Sequence, residues 1–173
     1  MAIHPARLLA IAAVAALLAA CGFQLRGTGG INVPDDWRSM YLVTSNPNGE
    51  LGRDVRTIFA ASGVDWADDR REANYQLVLG PERFSKRNLS ISADARAAEF
   101  EFTMSTEFSV RDAAGAEVMP PTIASVNQQM ENDPRNVVGK EEELRLIKSE
   151  MRTELAHQLL RRIGFFAAST ASR

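Results

Sequence analysis

The sequence predicts an α+β domain, a two-layer sandwich in which two helices pack on a four-stranded sheet in the order β-α-β-β-β-α. Three observations carry this. Residues 99–110, "EFEFTMSTEFSV", alternate apolar and polar side chains with Thr106 the one polar residue on the apolar side, the period of a half-buried strand. Leu144, Ile147, Met151, Leu155, Leu159 and Ile163 form an apolar stripe at helical spacing. The other apolar runs are short and strand-like, and one is followed by a second helical pattern, so strands in succession are flanked by helices.

Taken in order, "GTGGINVPDDW" is a Gly/Pro-rich extended lead-in. "SMYLVTS" (39–45) is rich in strand formers and ends in the turn residues "NPNG". Leu51, Val55, Ile58 and Phe59 then recur at helical spacing, and Gly63 stands where a left-handed cap ends such a helix. "NYQLVLG" (74–80) puts Tyr75, Leu77 and Leu79 on one side, with a bend or bulge at Gly80-Pro81 before "NLSIS" resumes the alternation. In the third strand Phe100, Phe102, Met104, Thr106, Phe108 and Val110 face the core, opposite Glu99, Glu101, Thr103, Ser105, Glu107 and Ser109. "RDAAGAE" reads as a hairpin connection to "TIASVNQQM", an edge or bulged strand with Pro120 and Pro121 at its entry. The last helix has Asp133 before Pro134 as a cap, acids in its first turn, and an expected stop near Gly164. The resulting organisation is a leader over 1–20, a tether over 21–36, one domain over 37–166 and a tail over 167–173.

Composition narrows the function classes. A chain of 173 residues with 45% apolar side chains can build one real core. Its charges nearly cancel, at a net −2, so no strong basic field for nucleic acid exists. One cysteine, Cys21, and two histidines, His4 and His157, are too few for a structural zinc site.

The single thiol follows Arg7 and the apolar run "LLAIAAVAALLAA", which has the length of a signal-peptide core and is too short for an ordinary spanning helix. "LAAC" resembles the bacterial lipobox. That resemblance implies cleavage before Cys21, a diacylglycerol on its sulfur and an acyl chain on its new amine; ordinary cleavage leaving a free thiol is the alternative. Several acyl chains make a durable anchor, each buried methylene contributing about 0.8 kcal/mol. Gly22 after the cysteine resembles outer-membrane sorting.

The "CGFQLRG" box, "NPNGELGRDVRTIFAASGV", "AAEFEF" and "KEEELRLIKSEMRTELAHQLLRRI" together resemble the LptE family of lipopolysaccharide-assembly lipoproteins, over nearly the whole chain after the leader. The resemblance implies a non-enzymatic lipoprotein on the periplasmic side of the outer membrane. It implies a one-to-one complex in which the domain plugs a large LptD-type β-barrel of the translocon and assists its assembly, and it implies lipopolysaccharide binding. Beyond the covalent lipid on Cys21, no cofactor is expected, and no metal.

Enzyme readings are weak against this. A Ser-His-acid set needs an imidazole base, and after the leader only His157 is left, inside the last helix; no G-x-S-x-G turn occurs. "GTGG" lacks the strand, lysine and helix of a phosphate loop. Asp68-Asp69 and the pair Glu99 and Glu101 read as solvated charges, and "NLS" at Asn88 is a chance sequon. The basic residues Arg83, Lys86 and Arg87 in "RFSKR", and Lys140 ahead of three acids, are candidates to pair with lipopolysaccharide phosphates or are ordinary solubilising charges. The resemblance favours the first reading most for Lys140, and Arg96 matches only weakly. The alternative function is a lipid-anchored periplasmic carrier of an amphipathic ligand, without a barrel partner. A buried apolar cavity would favour the carrier; a solid core with a broad polar flank would favour the plug.

Overall fold

The computed structural model describes residues 33–91, 97–131 and 139–171. The leader, Cys21, most of the lead-in, Arg96 and the Asp133 cap lie outside the described residues. A 3₁₀ turn at Asp35–Trp37 opens the described domain, followed by β1 (Ser39–Thr44), α1 (Glu50–Ala61), β2 (Asp65–Trp66), β3 (Tyr75–Leu79), β4 (Arg83–Ile91), β5 (Ala97–Asp112), β6 (Glu117–Glu131) and α2 (Lys140–Ala171).

These form one sheet with two helices, as the residue pattern requires. The sheet has six strands in the order β2-β1-β3-β5-β4, with β6 also paired to β5. The two-residue β2 runs parallel to β1 at the far edge, and β1 and β3 are parallel across the α1 connection. The break at Gly80-Pro81 is a bulge: Leu79 faces Phe108 and Arg83 faces Ser105, so Gly80, Pro81 and Glu82 stand against Thr106 and Glu107 alone. β3 and β4 are thus successive halves of one line along β5, which accounts for the expectation of four strands. Gly80 is needed here because a Cβ at this position would lie 3.0 Å from the Glu107 carbonyl oxygen. Its own N–H donates to that oxygen at 2.8 Å.

α1 ends as its glycine foretells. Gly63 has φ +88°, its N–H donates to the Ala60 carbonyl, and the Val64 N–H donates to that of Phe59. β5 buries all six expected core residues on the helix-facing side. On the outer side Ser109 is also buried, as is Gln76, whose Nε2 donates to the Asp112 carbonyl at 3.1 Å. Three boundaries differ from the sequence expectation. β6 begins at Glu117, ahead of the two prolines, because register shifts in its pairing with β5 accommodate residues that cannot donate. Val33, expected in the tether, lies in the core. α2 passes through Gly164 to Ala171, so the expected tail begins inside the helix. A mid-helix glycine costs about 1 kcal/mol relative to alanine. Burial of Ile163 and Ala167, with Phe166 edge-on to Trp37 at 5.9 Å, offsets that cost.

α2 also closes part of the β6 edge. Gln158 Oε1 accepts from the Ser125 N–H at 3.1 Å, and Arg162 Nη1 donates to the Ile123 carbonyl at 2.7 Å. Side chains thereby satisfy backbone groups that an open edge would offer to another strand.

Candidate functional site

Residues 83–91 form a strand, so their side chains alternate between the two faces of the sheet. In the antiparallel register Lys86 faces Phe102 and Phe84 faces Met104, which sets both on the helix-covered side. Arg83 faces Ser105 and Arg87 faces Glu101 on the opposite side. The four basic candidates therefore divide. Arg87 Nη2 pairs with Glu101 Oε1 at 2.8 Å, and Arg83 is exposed on the same outer face.

Lys86 and Lys140 come together. Lys140 opens α2 above the far end of β5, and both lysines line an open cleft of about 150 Å³ whose other walls are mainly Phe100, Phe102, Met130 and Leu144. Glu141 also borders it. The Lys86 Nζ lies 3.4 Å from the centroid of the Phe100 ring, over its electron-rich face. Phe84 stacks on Phe102 at 5.5 Å, and Lys148 Nζ sits 4.6 Å from the Phe84 centroid. Neither Lys86 nor Lys140 has a carboxylate within ion-pair distance among the described residues. Aromatic faces and two ammonium groups meet at one end of the sandwich.

A second polar centre was invisible in the sequence. Arg152, largely buried on α2, bonds Glu82 Oε2 through Nε at 2.7 Å and Glu50 Oε2 through Nη1 at 2.6 Å. It ties the first turn of α1, the bulge and the middle of α2 together. Burial alone would lower its pKa, but the hydrogen bond to Glu82 and the charges of Glu82, Glu50 and Asp54 outweigh this and hold it above the ordinary arginine value. Asp54 in the same cluster is raised above its ordinary value, by burial first and by Glu50 and Glu82, against the pull of Arg152 and Arg53. Nothing short-range marks this network, because its members come from three separate elements. No group of three His, Cys, Asp or Glu that could hold a metal occurs among the described residues, and no described helix is long and apolar enough to cross a membrane.

The family model LptE, lipopolysaccharide-assembly, matches residues 37–163. The chain belongs to the LptE family. The LPS-assembly lipoprotein LptE of Pectobacterium atrosepticum is 30% identical over 149 residues, covering 85% of this chain and 78% of that protein. Its counterpart from Photorhabdus laumondii is 29% identical over 145 residues, covering 84% and 78%. Among solved structures, the rare lipoprotein B of Shewanella oneidensis superposes with a TM-score of 0.64 at 27% identity, over 77% of this chain and 96% of that one. Lipoprotein B of Nitrosomonas europaea reaches a TM-score of 0.71 at 19% identity, over 84% and 92%, a likeness of fold. As an LptE-family protein the chain has a role in lipopolysaccharide assembly as a lipoprotein, the class that the "CGFQLRG" box and the final helix indicate.

Proposed function

We propose that the mature chain is anchored through acylated Cys21 to the periplasmic side of the outer membrane. There it plugs the large LptD-type β-barrel of the lipopolysaccharide translocon, one to one, assists that barrel's assembly, and binds lipopolysaccharide during its insertion. The observation that carries the binding reading is the pairing of Lys86 with Lys140 at one cleft, from elements far apart in the chain. Two ammonium groups with no ion-pair partner among the described residues suit phosphate esters even on a protein with a net charge of −2. Arg83 and Arg87 sit on the other face and act in a separate, outward-facing role.

The outer face of β4, β5 and β6 supports the plug over the carrier. It presents Arg83, Ser85, Arg87, Glu101, Asn127 and Gln129, a broad polar surface suited to a hydrated lumen, while the opposite face is packed core except at the open cleft beside Lys86 and Lys140. The closed stretch of the β6 edge directs contact to this face. No nucleophile-base pair or cofactor enters this reading, and the role is non-enzymatic.

Affinity isolation of the tagged chain from detergent-solubilised outer membranes tests the proposal. A single large barrel should co-purify in equal amount, and mass spectrometry of the mature N-terminus should show a triacylated cysteine. Isolation without a barrel, with barrel folding unchanged on depletion, would leave the carrier reading in its place. An unmodified Cys21 in membrane material would remove the anchor.

A further inference from the structure

Two edges of the sheet are treated differently. Along β6, side chains of α2 occupy the outward backbone groups of Ile123 and Ser125. Along β1, the cover stops short. β2 pairs only with Ser39 and Met40, the Asp65 N–H donating to the Arg38 carbonyl at 2.7 Å and the Ala67 N–H to the Met40 carbonyl at 2.8 Å. Beyond Ala67 the chain leaves the sheet for the 3₁₀ turn at Arg70–Glu72. A strand residue points its N–H and C=O to one side, and the next residue points its pair to the other. Leu42 and Thr44 therefore aim theirs as Arg38 and Met40 do, into the space that β2 has left. No bond to these backbone groups on that side occurs among the described residues.

That space is an open cleft of about 520 Å³, and its walls are fixed. Trp66 Nε1 donates to the Arg56 carbonyl at 3.0 Å, and Arg56 Nη1 donates to the Pro47 carbonyl at 3.0 Å. From Met40 to Thr44 the edge runs about 13 Å at ~3.3 Å per residue, so an extended segment of about four residues would continue the line of β2. β2 stands one strand spacing ahead of β1, about 4.8 Å, which recesses the open stretch. Arg56 lies toward its Thr44 end and exposed Asp68 toward its Met40 end, and neither has an ion-pair partner among the described residues.

We infer that this recessed edge receives a lone extended segment of the barrel partner, which adds to the sheet by pairing with Leu42 and Thr44. The inference rests on the plug reading above and assigns one way in which the partner grips the plug. A closed barrel wall has every strand paired, so the segment is a loop or terminal stretch. The edge of another folded sheet meets β2 and Arg56 before it reaches Leu42, so a second copy of this chain fits poorly. Main-chain pairing supplies affinity, while an acidic side chain opposite Arg56 and a basic one near Asp68 set the segment's direction.

Amide hydrogen exchange, resolved by residue, compares the free chain with the chain in the co-isolated barrel complex. The N–H groups of Asn127 and Gln129 serve as the reference, since they share the outward direction of Ser125 on the β6 edge. On complex formation Leu42 and Thr44 should slow at least tenfold more than these two. Equal slowing at both edges, or none at Leu42 and Thr44, overturns strand addition and leaves the plug reading standing. Slowing that appears in the free chain as its concentration rises gives the edge to a second copy and overturns the assignment of the occupant. Failure of any barrel to co-isolate overturns the plug reading and this inference with it.

Discussion

The two ends of the sandwich are built from the same strand and the same helix, yet they are packed differently. At the near end, β1, β3 and the second half of β5 lie under both helices. Phe59, Leu77, Val110, Leu159 and Ile163 are fully buried there, and Arg152 locks α1, the bulge and α2 at the boundary. At the far end, β4 and the first half of β5 are covered by the opening turns of α2, and the apolar walls stay within reach of solvent and of Lys86 and Lys140. Identical alternation thus yields a sealed core where two helices cover it and a cationic, apolar-walled mouth where one does. Stability should reside at the near end and ligand affinity at the far end.

Substitutions can break or sharpen that division. The largest effect is expected from Leu159→Ala, which empties a fully buried site and should cost about 2–5 kcal/mol of unfolding free energy in denaturant titration. The same truncation at half-buried Leu144 should cost less than about 1.5 kcal/mol. Equal costs would erase the distinction between the ends. Arg152→Met keeps the aliphatic stem but leaves Glu50, Asp54 and Glu82 facing one another. A loss of about 1–3 kcal/mol, reduced by added salt, is expected in the same titration. Gly63→Ala should cost about 1–2 kcal/mol from backbone conformation alone, since at φ +88° the new Cβ meets nothing closer than Arg38 Nε at 3.8 Å.

The smallest effect concerns pH. The folded-state pKa of Asp54 is raised, so its ionised form is disfavoured by folding. Its contribution therefore worsens as pH rises from its ordinary value of 3.8 through the folded value, and improves on acidification. Asp54→Asn should match or exceed the native chain by a few tenths of a kcal/mol at neutral pH and lack that acid-side gain. A difference between the native and Asp54→Asn curves that is unchanged from pH 3 to pH 7 would show that burial does not govern this carboxylate.

These regions also differ in how much of them was written in local sequence. The alternation of β5, the Gly63 cap and the Gly80-Pro81 bulge were legible because each depends on neighbours a few residues away. The run of α2 past Gly164 was not, because what sustains it is Phe166 against Trp37, from the opposite end of the described domain. Arg152 could not be singled out from other helix arginines without the fold that brings Glu50 and Glu82 to it. The basic cluster was half legible. "RFSKRN" itself alternates Phe84, Lys86 and Asn88 with Arg83, Ser85 and Arg87, and that periodicity separates Lys86 from its two arginine neighbours once the segment is taken as a strand. Its meeting with Lys140 needed the register.

The most direct measurement of the division between fold and function is lipopolysaccharide binding by the Lys86→Glu, Lys140→Glu double variant at low and at physiological salt, read beside its thermal melt and its recovery of the barrel. Both side chains lie outside the sealed core, so the melt and the barrel complex should match those of the native chain while affinity falls at least tenfold, most steeply at low salt. Native affinity at both salt concentrations, with the melt unchanged, would contradict the account and return both lysines to the solvated surface.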